Sequence, residues 1–190
     1  MKHRTFGRYI AVLTILLTAE TLAAQEVKTT TSHSAGGTVV RVETTLAQSP
    51  QETWRWLATE KGLQCWAAPV VRLDLRIGGK LETNYDAKAS IGAPGTITLG
   101  IVNFVEAEFL TFKVKLNDAF SEVLQAEDDN LQEVIRLEKL PNGGTRIIST
   151  MIGWGGDPEW GKVVEFFAKG NEASYKGLAK CAAGTQTTLK

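Results

Sequence analysis

Apolar and polar residues alternate through most of this chain, and near its end the alternation gives way to a helical repeat. Val39 to Leu46 places Val40, Val42 and Thr44 on one face and Arg41, Glu43 and Thr45 on the other, the period of two that marks a strand. Ser49-Pro50-Gln51-Glu52 then sets out a helix start: Ser49 to cap, Pro50 at the first helical position, and Glu52 three residues on from Ser49 to complete a capping box. Trp54, Leu57 and Ala58 follow at helical spacing, and after Thr59-Glu60-Lys61-Gly62 a second short helix runs through Leu63 to Trp66. From Val71 to Ile77 the alternation returns, with Arg72, Asp74 and Arg76 on a wet face. Gly78-Gly79 makes a tight turn, and Leu81, Thr83 and Tyr85 continue on the partner strand.

Ala87 to Gly95 reads as a loop, and Thr96 to Val105 and Phe109 to Leu116 as the next two strands. Between Asn117 and Asn130 a short helix through Phe120, Val123 and Leu124 and an alternating strand both fit. Val134 to Leu140 and Thr145 to Ile152 flank the hairpin turn Pro141-Asn142-Gly143-Gly144. Asp157 caps and Pro158 opens the last element, in which Trp160, Val163, Val164, Phe167, Asn171, Ser174, Tyr175, Leu178 and Cys181 trace one face over about 24 residues. Six to seven antiparallel strands twist into a curl, and the long helix is the natural filler of its concave side.

The ends of the chain read differently. Lys2, Arg4 and Arg8 precede an apolar run from Ile10 to Thr18, and Thr21-Leu22-Ala23-Ala24 supplies small residues for cleavage after Ala23 or Ala24, so residues 1–24 are expected to be a secretory signal peptide. The run is shorter than the roughly 20 residues that span a bilayer, so no stable membrane anchor is expected after processing. Residues 25–37, polar and Gly-rich, are read as a flexible lead-in; 38–182 as one domain; 183–190 as a disordered tail.

Without residues 1–24 the chain keeps 18 of its 21 basic and 20 of its 21 acidic residues, a net charge near −2. That balance argues against nucleic acid as a partner, which needs clustered Lys and Arg. His33 is the only histidine left, so a His-based zinc site and a Ser-His-Asp triad are excluded from the domain. No cofactor and no metal are expected. Glu127-Asp128-Asp129-Asn130 lacks the ligand spacing of a calcium loop and reads as a solvated loop, and Arg72, Asp74 and Arg76 read as a surface charge ladder.

Trp54, Gly62 and Trp66, with Asp74-Leu75-Arg76-Ile77-Gly78-Gly79, occur in the order of a known signature, followed by Gly100-Ile101-Val102 with Leu110-Thr111-Phe112, and by Gly144-Thr145-Arg146-Ile147 leading to Gly153-Trp154. On these residues the chain resembles the START-like or SRPBCC superfamily, within it the branch named for the activator of the large heat-shock chaperone ATPase. The resemblance covers roughly residues 38–182. It departs where members carry a late-strand His, here Met151, and a loop Pro, here Ala107 or Glu108.

The resemblance implies an α+β helix-grip domain: a curved antiparallel sheet, two short helices after its first strand, and a long C-terminal helix on the concave face. Together with the expected signal peptide, which makes the protein periplasmic or secreted, it implies binding of a small apolar or amphipathic molecule between sheet and helix, with Trp66, Tyr85, Phe104, Phe112, Trp154 and Phe167 as candidate lining. Two other readings stay open. One is a protein-interaction domain; an exported chain would not meet a cytosolic chaperone, so the branch name does not supply its partner. The other is a cyclase or hydrolase, whose proton carrier, without His, would be a residue such as Tyr85 or Glu165. The fold also brings the second helix near the far end of the long one, so Cys65 and Cys181 form either a disulfide or two buried thiols.

Overall fold

The computed structural model describes residues 26–184. Eight strands form one antiparallel sheet: β1 (Lys28–Ser34), β2 (Gly37–Leu46), β3 (Val70–Leu73), β4 (Lys80–Asn84), β5 (Ile97–Val105), β6 (Phe109–Val114), β7 (Gln132–Lys139) and β8 (Thr145–Ile152). Their order across the sheet is β1-β2-β8-β7-β6-β5-β4-β3, so β2 crosses to β8 while the other neighbours are sequential. Helices α1 (Pro50–Leu57) and α2 (Glu60–Trp66) fill the connection from β2 to β3 at the opposite edge. Helix α3 (Glu122–Ala126) precedes β7, and α4 (Trp160–Gly184) ends the described chain.

Local chemistry sets the helices where the sequence places them. Ser49 Oγ accepts from Glu52 N and Glu52 Oε2 accepts from Ser49 N, the reciprocal bonds of a capping box. Thr59 Oγ1 accepts from Gly62 N at the start of α2. A Cβ at Gly62 would strike the Arg55 carbonyl and the Trp56 Cα, so the α1–α2 corner closes only around glycine.

The segment expected to be a flexible lead-in is instead the edge strand β1, paired with β2 from Lys28↔Glu43 to Ser34↔Gly37. An edge strand is held by its backbone ladder and needs no apolar stripe, which is why KTTTSHS carried no hydrophobic signal. The expected strand 71–77 also stops early, at Leu73. Arg76 N turns back onto Asp74 O, leaving Ile77 68% exposed, and the Gly78–Gly79 backbone bonds to Ile101 on β5. Regular helix in α4 begins at Trp160, with Asp157 Oδ1 capping Glu159 N. It continues through Gly184 into the expected tail. Residues 1–24, read as a signal peptide, lie outside the described residues.

The acidic loop 127–130 is not merely solvated. Asp128 is fully buried, accepting from Leu116 N at 2.8 Å and pairing with Lys115 at 2.5 Å. Glu127 Oε2 accepts from Gly156 N, Asp157 N and Trp160 Nε1, at 2.9, 3.1 and 2.8 Å, and so holds the start of α4. Gly155 must be glycine there, because a Cβ would occupy the space of that carboxylate and the Trp160 indole. These bonds to the ionised form hold the Glu127 pKa below its ordinary value. At the other end of α4, Cys181 and Cys65 are joined by a disulfide with Cα atoms 6.1 Å apart.

Two apolar clusters occupy the concave side. One joins α1, α2 and the C-terminal half of α4 to the sheet through Trp54, Leu57, Leu63, Leu110, Ile147 and Leu178. The other gathers Val40, Leu116, Leu124, Leu131, Met151 and Val163 around the N-terminal half of α4. Leu99 touches both.

Candidate functional site

The pairing of β7 fixes which of its side chains face inward. Glu133 lies opposite Met151 on β8 and Phe112 on β6, Ile135 opposite Ser149 and Leu110, and Leu137 opposite Ile147. Glu133 therefore shares the concave face with two core aliphatics, while Val134, Arg136 and Glu138 take the convex face. Its Oε1 accepts from Ser149 Oγ at 2.6 Å and from the Tyr175 hydroxyl at 3.2 Å. Asn171, one turn before Tyr175 on α4, donates from Nδ2 to Met151 Sδ at 3.1 Å. Glu133, Ser149, Asn171 and Tyr175 thus form a polar waist between the apolar clusters.

Burial dominates the electrostatics of this waist. Desolvation pushes the Glu133 carboxyl above its ordinary pKa, against the pull of the Ser149 and Tyr175 hydrogen bonds. Desolvation and then the adjacent carboxyl push the Tyr175 phenol well above its own. The Glu133 residue is half-buried, its carboxyl set on the inward face between Phe112, Met151 and α4.

The two halves of the sheet are not equally covered. Helix α4 lies along β2 and β1. The inward positions of β2 from Val40 onward and those of β8 are sealed: Val40, Val42, Thr44 and Leu46, then Thr145, Ile147, Ser149 and Met151. On β5 the inward Ile97, Leu99 and Phe104 remain half-buried, as do Leu73 on β3 and Trp66 at the end of α2.

The six aromatics expected to line one wall divide instead into two groups. Trp66 packs at 5.6 Å and a tilt of 42° against Tyr175 and donates from Nε1 to Trp56 O; Phe112 is buried beside Leu110, and Phe104 meets Trp54 at 6.1 Å. Trp154 and Phe167 lie 5.8 Å apart in the other cluster, with Trp160 and Phe120. Tyr85, 65% exposed at the end of β4, belongs to neither. The proton carriers suggested for an enzyme are likewise outside: Tyr85 is exposed, and Glu165 is an exposed ion-pair partner of Lys169. Glu133 was missed, although its parity with Ile135 and Leu137 carried the signal.

On the convex face, Arg41, Glu43, Val134, Arg136, Glu138, Arg146, Ile148 and Thr150 line an open groove of about 440 Å³. Its charges largely satisfy one another, with Arg146 bridging Glu43 and Glu138, and Arg136 paired to Glu138. Arg72 on β3 pairs with the buried Glu82 on β4, and Arg76 pairs with Asp74 in the turn beyond β3, so the charges expected along one strand face part after Arg72. Among the described residues no group of three or more His, Cys, Asp or Glu is placed to hold a metal, and no helix is long and apolar enough to cross a membrane.

A long C-terminal helix held in a curved antiparallel sheet, with two short helices in the first crossover, defines the helix-grip class of the SRPBCC superfamily. The family model described as "Activator of Hsp90 ATPase homolog 1-like protein" matches residues 47–183, and the chain belongs to that family. Solved structures share the fold at low identity. Protein MLL2253 from Mesorhizobium loti is 15% identical, with a TM-score of 0.62 over 78% of this chain and 98% of that one. Protein Ms6760 from Mycobacterium smegmatis is 18% identical, with a TM-score of 0.59 over 87% and 100%. The Aha1 dimer from Colwellia psychrerythraea is 13% identical, with a TM-score of 0.53 over 70% and 90%. No curated protein sequence matches the chain.

Proposed function

We propose that this family member is an exported binding protein that holds a small amphipathic molecule between α4 and the inward face of β5. The observation that carries the reading is the unequal cover of the sheet: β2 and β8 are sealed beneath α4, while Ile97, Leu99 and Phe104 on β5 are not. Apolar surface left half-exposed on a concave face gains about 25 cal/mol per Å² when a ligand covers it. The Glu133–Tyr175 pair offers the polar group that orients such a molecule. Export is supported by the basic, apolar and small-residue order of residues 1–24, and a disulfide suits an oxidising compartment.

Titration with the neutral fluorophore N-phenyl-1-naphthylamine tests the binding reading. The expected result is saturable binding to one site, weakened about tenfold by Leu99→Trp, which fills the space beside β5. No saturable binding, or binding indifferent to that substitution, overturns it. Cell fractionation with N-terminal sequencing tests export: the mature chain should begin at Ala24 or Gln25, and a full-length chain confined to the cytoplasm overturns it.

The inward Glu133 favours a second reading, in which the same carboxyl moves a proton on the bound molecule. It is separated from simple binding by incubation with a cell extract followed by mass spectrometry. Binding alone returns every ligand unchanged, whereas catalysis depletes one and Glu133→Gln abolishes the depletion.

A further inference from the structure

The bonding at Glu133 is lopsided. Both donors, Ser149 Oγ and the Tyr175 hydroxyl, serve Oε1, and Oε2 has no hydrogen-bond partner among the described residues. The elements around it bring no charge of either sign: β6 contributes Phe112, β8 Ser149 and Met151, and α4 Asn171 and Tyr175. Arg136, on the same strand, takes the opposite face and is paired with Glu138. A half-buried carboxyl on an apolar face without a cation is costly, and a Leu or Met of similar size would fill the position at less cost to stability.

An apolar ligand alone gives no reason for such a group, and a hydroxyl would need only a neutral acceptor such as Gln. A carboxylate is the acceptor that gains most from a cationic donor. Asn171 stands beside it, since its amide reaches the sulfur of Met151, the cross-strand partner of Glu133. Its carbonyl oxygen supplies a second neutral acceptor for an ammonium, which has three N–H donors. From Glu133 the inward face leads across Phe112 and the buried Ile101 to the half-buried Leu99 and Ile97, an apolar row.

We propose that the molecule held between α4 and β5 is an amphipathic amine, its ammonium against Glu133 Oε2 and its apolar body along Leu99 and Ile97. This rests on the binding reading given above. The proton on Glu133 leaves to solvent as the ammonium arrives, so amine affinity rises with pH as the carboxyl ionises. Tyr175 is the other titratable group facing it, and burial keeps that phenol protonated throughout.

The test displaces N-phenyl-1-naphthylamine from the mature protein with octylamine and, separately, with 1-octanol, which share a chain length and differ in the head group. Octylamine should displace the fluorophore at about tenfold lower concentration than octanol, a preference that grows as pH is raised from 5 to 8. Glu133→Gln, checked for native near-UV circular dichroism, should remove the preference and leave octanol unchanged. Equal displacement by the two in the wild type, or a preference that survives Glu133→Gln, overturns the amine assignment while the binding reading stands. Failure of the fluorophore and both alkyl compounds to bind overturns both.

Discussion

The Tyr175 hydroxyl donates to Glu133 Oε1 across 3.2 Å, tying the long helix to the centre of the sheet through a carboxyl that faces the core. Because burial raises the folded pKa of that carboxyl above its unfolded value, the folded state retains a proton that the unfolded chain releases. The stability this contributes is complete below the ordinary glutamate pKa and is lost as pH rises through the raised folded value. Thermal unfolding followed by circular dichroism should show wild-type stability declining over that window, and Glu133→Gln should flatten the decline. At neutral pH the variant should be the more stable by about 1–3 kcal/mol, since a neutral amide replaces a half-buried charge. A variant less stable than wild type at neutral pH would refute this.

Removing the partner acts in the opposite direction. Tyr175→Phe keeps the ring against Trp66 and deletes one of the two donors to Glu133. The expected cost is about 1–3 kcal/mol in urea unfolding. In Tyr175→Phe combined with Glu133→Gln the cost should be smaller, and a double-mutant cycle measures the difference.

The start of α4 depends on Glu127, whose one oxygen receives three donors. Here the folded pKa is lowered, so the stability it contributes is present above the ordinary glutamate value and is lost as pH falls through the lowered one. Glu127→Ala should speed hydrogen exchange at the Gly156 and Asp157 amides several-fold, with the protection of the core strands unchanged. Unaltered exchange at both amides would show that the tether does not hold in solution.

The Cys65–Cys181 link closes a sequence separation of 116 residues. In the chain-entropy account a loop of this size is worth about 4–5 kcal/mol. The double substitution Cys65→Ala with Cys181→Ala should lower the urea midpoint accordingly, and a reductant should do the same to the wild type but not to the variant.

Legibility in the sequence followed the locality of the cause. The α1 start was fully readable, since Ser49 and Glu52 meet within one turn. So was the α4 stripe, whose period runs over more than six turns. The strand β1 was hidden because its stability lies in pairing with β2, a relation that its polar residues do not record. Alternation misled at Leu75 and Ile77, where the chain leaves the ladder after Leu73 while the period of two persists by composition. The candidate lining aromatics divide for a related reason: Trp66 ends α2 beside the C-terminal half of α4, Trp154 follows β8 beside its N-terminal half, and residue type does not record that separation. Glu133 could have been found. Counting in twos back from Leu137 and Ile135 leads directly to it, one residue before the alternating run that begins at Val134.

Fastened by a disulfide near one end and by the Glu127 carboxylate at the other, α4 is strapped rather than hinged. A helix held at both ends cannot swing away from the sheet as a lid does; it can only roll or bow between its fixings. For the proposed ligand, exchange would then be a matter of rates: residence time would be set by how often the side along β5 breathes, and reducing one covalent bond would shorten it while leaving every contact around Glu133 in place.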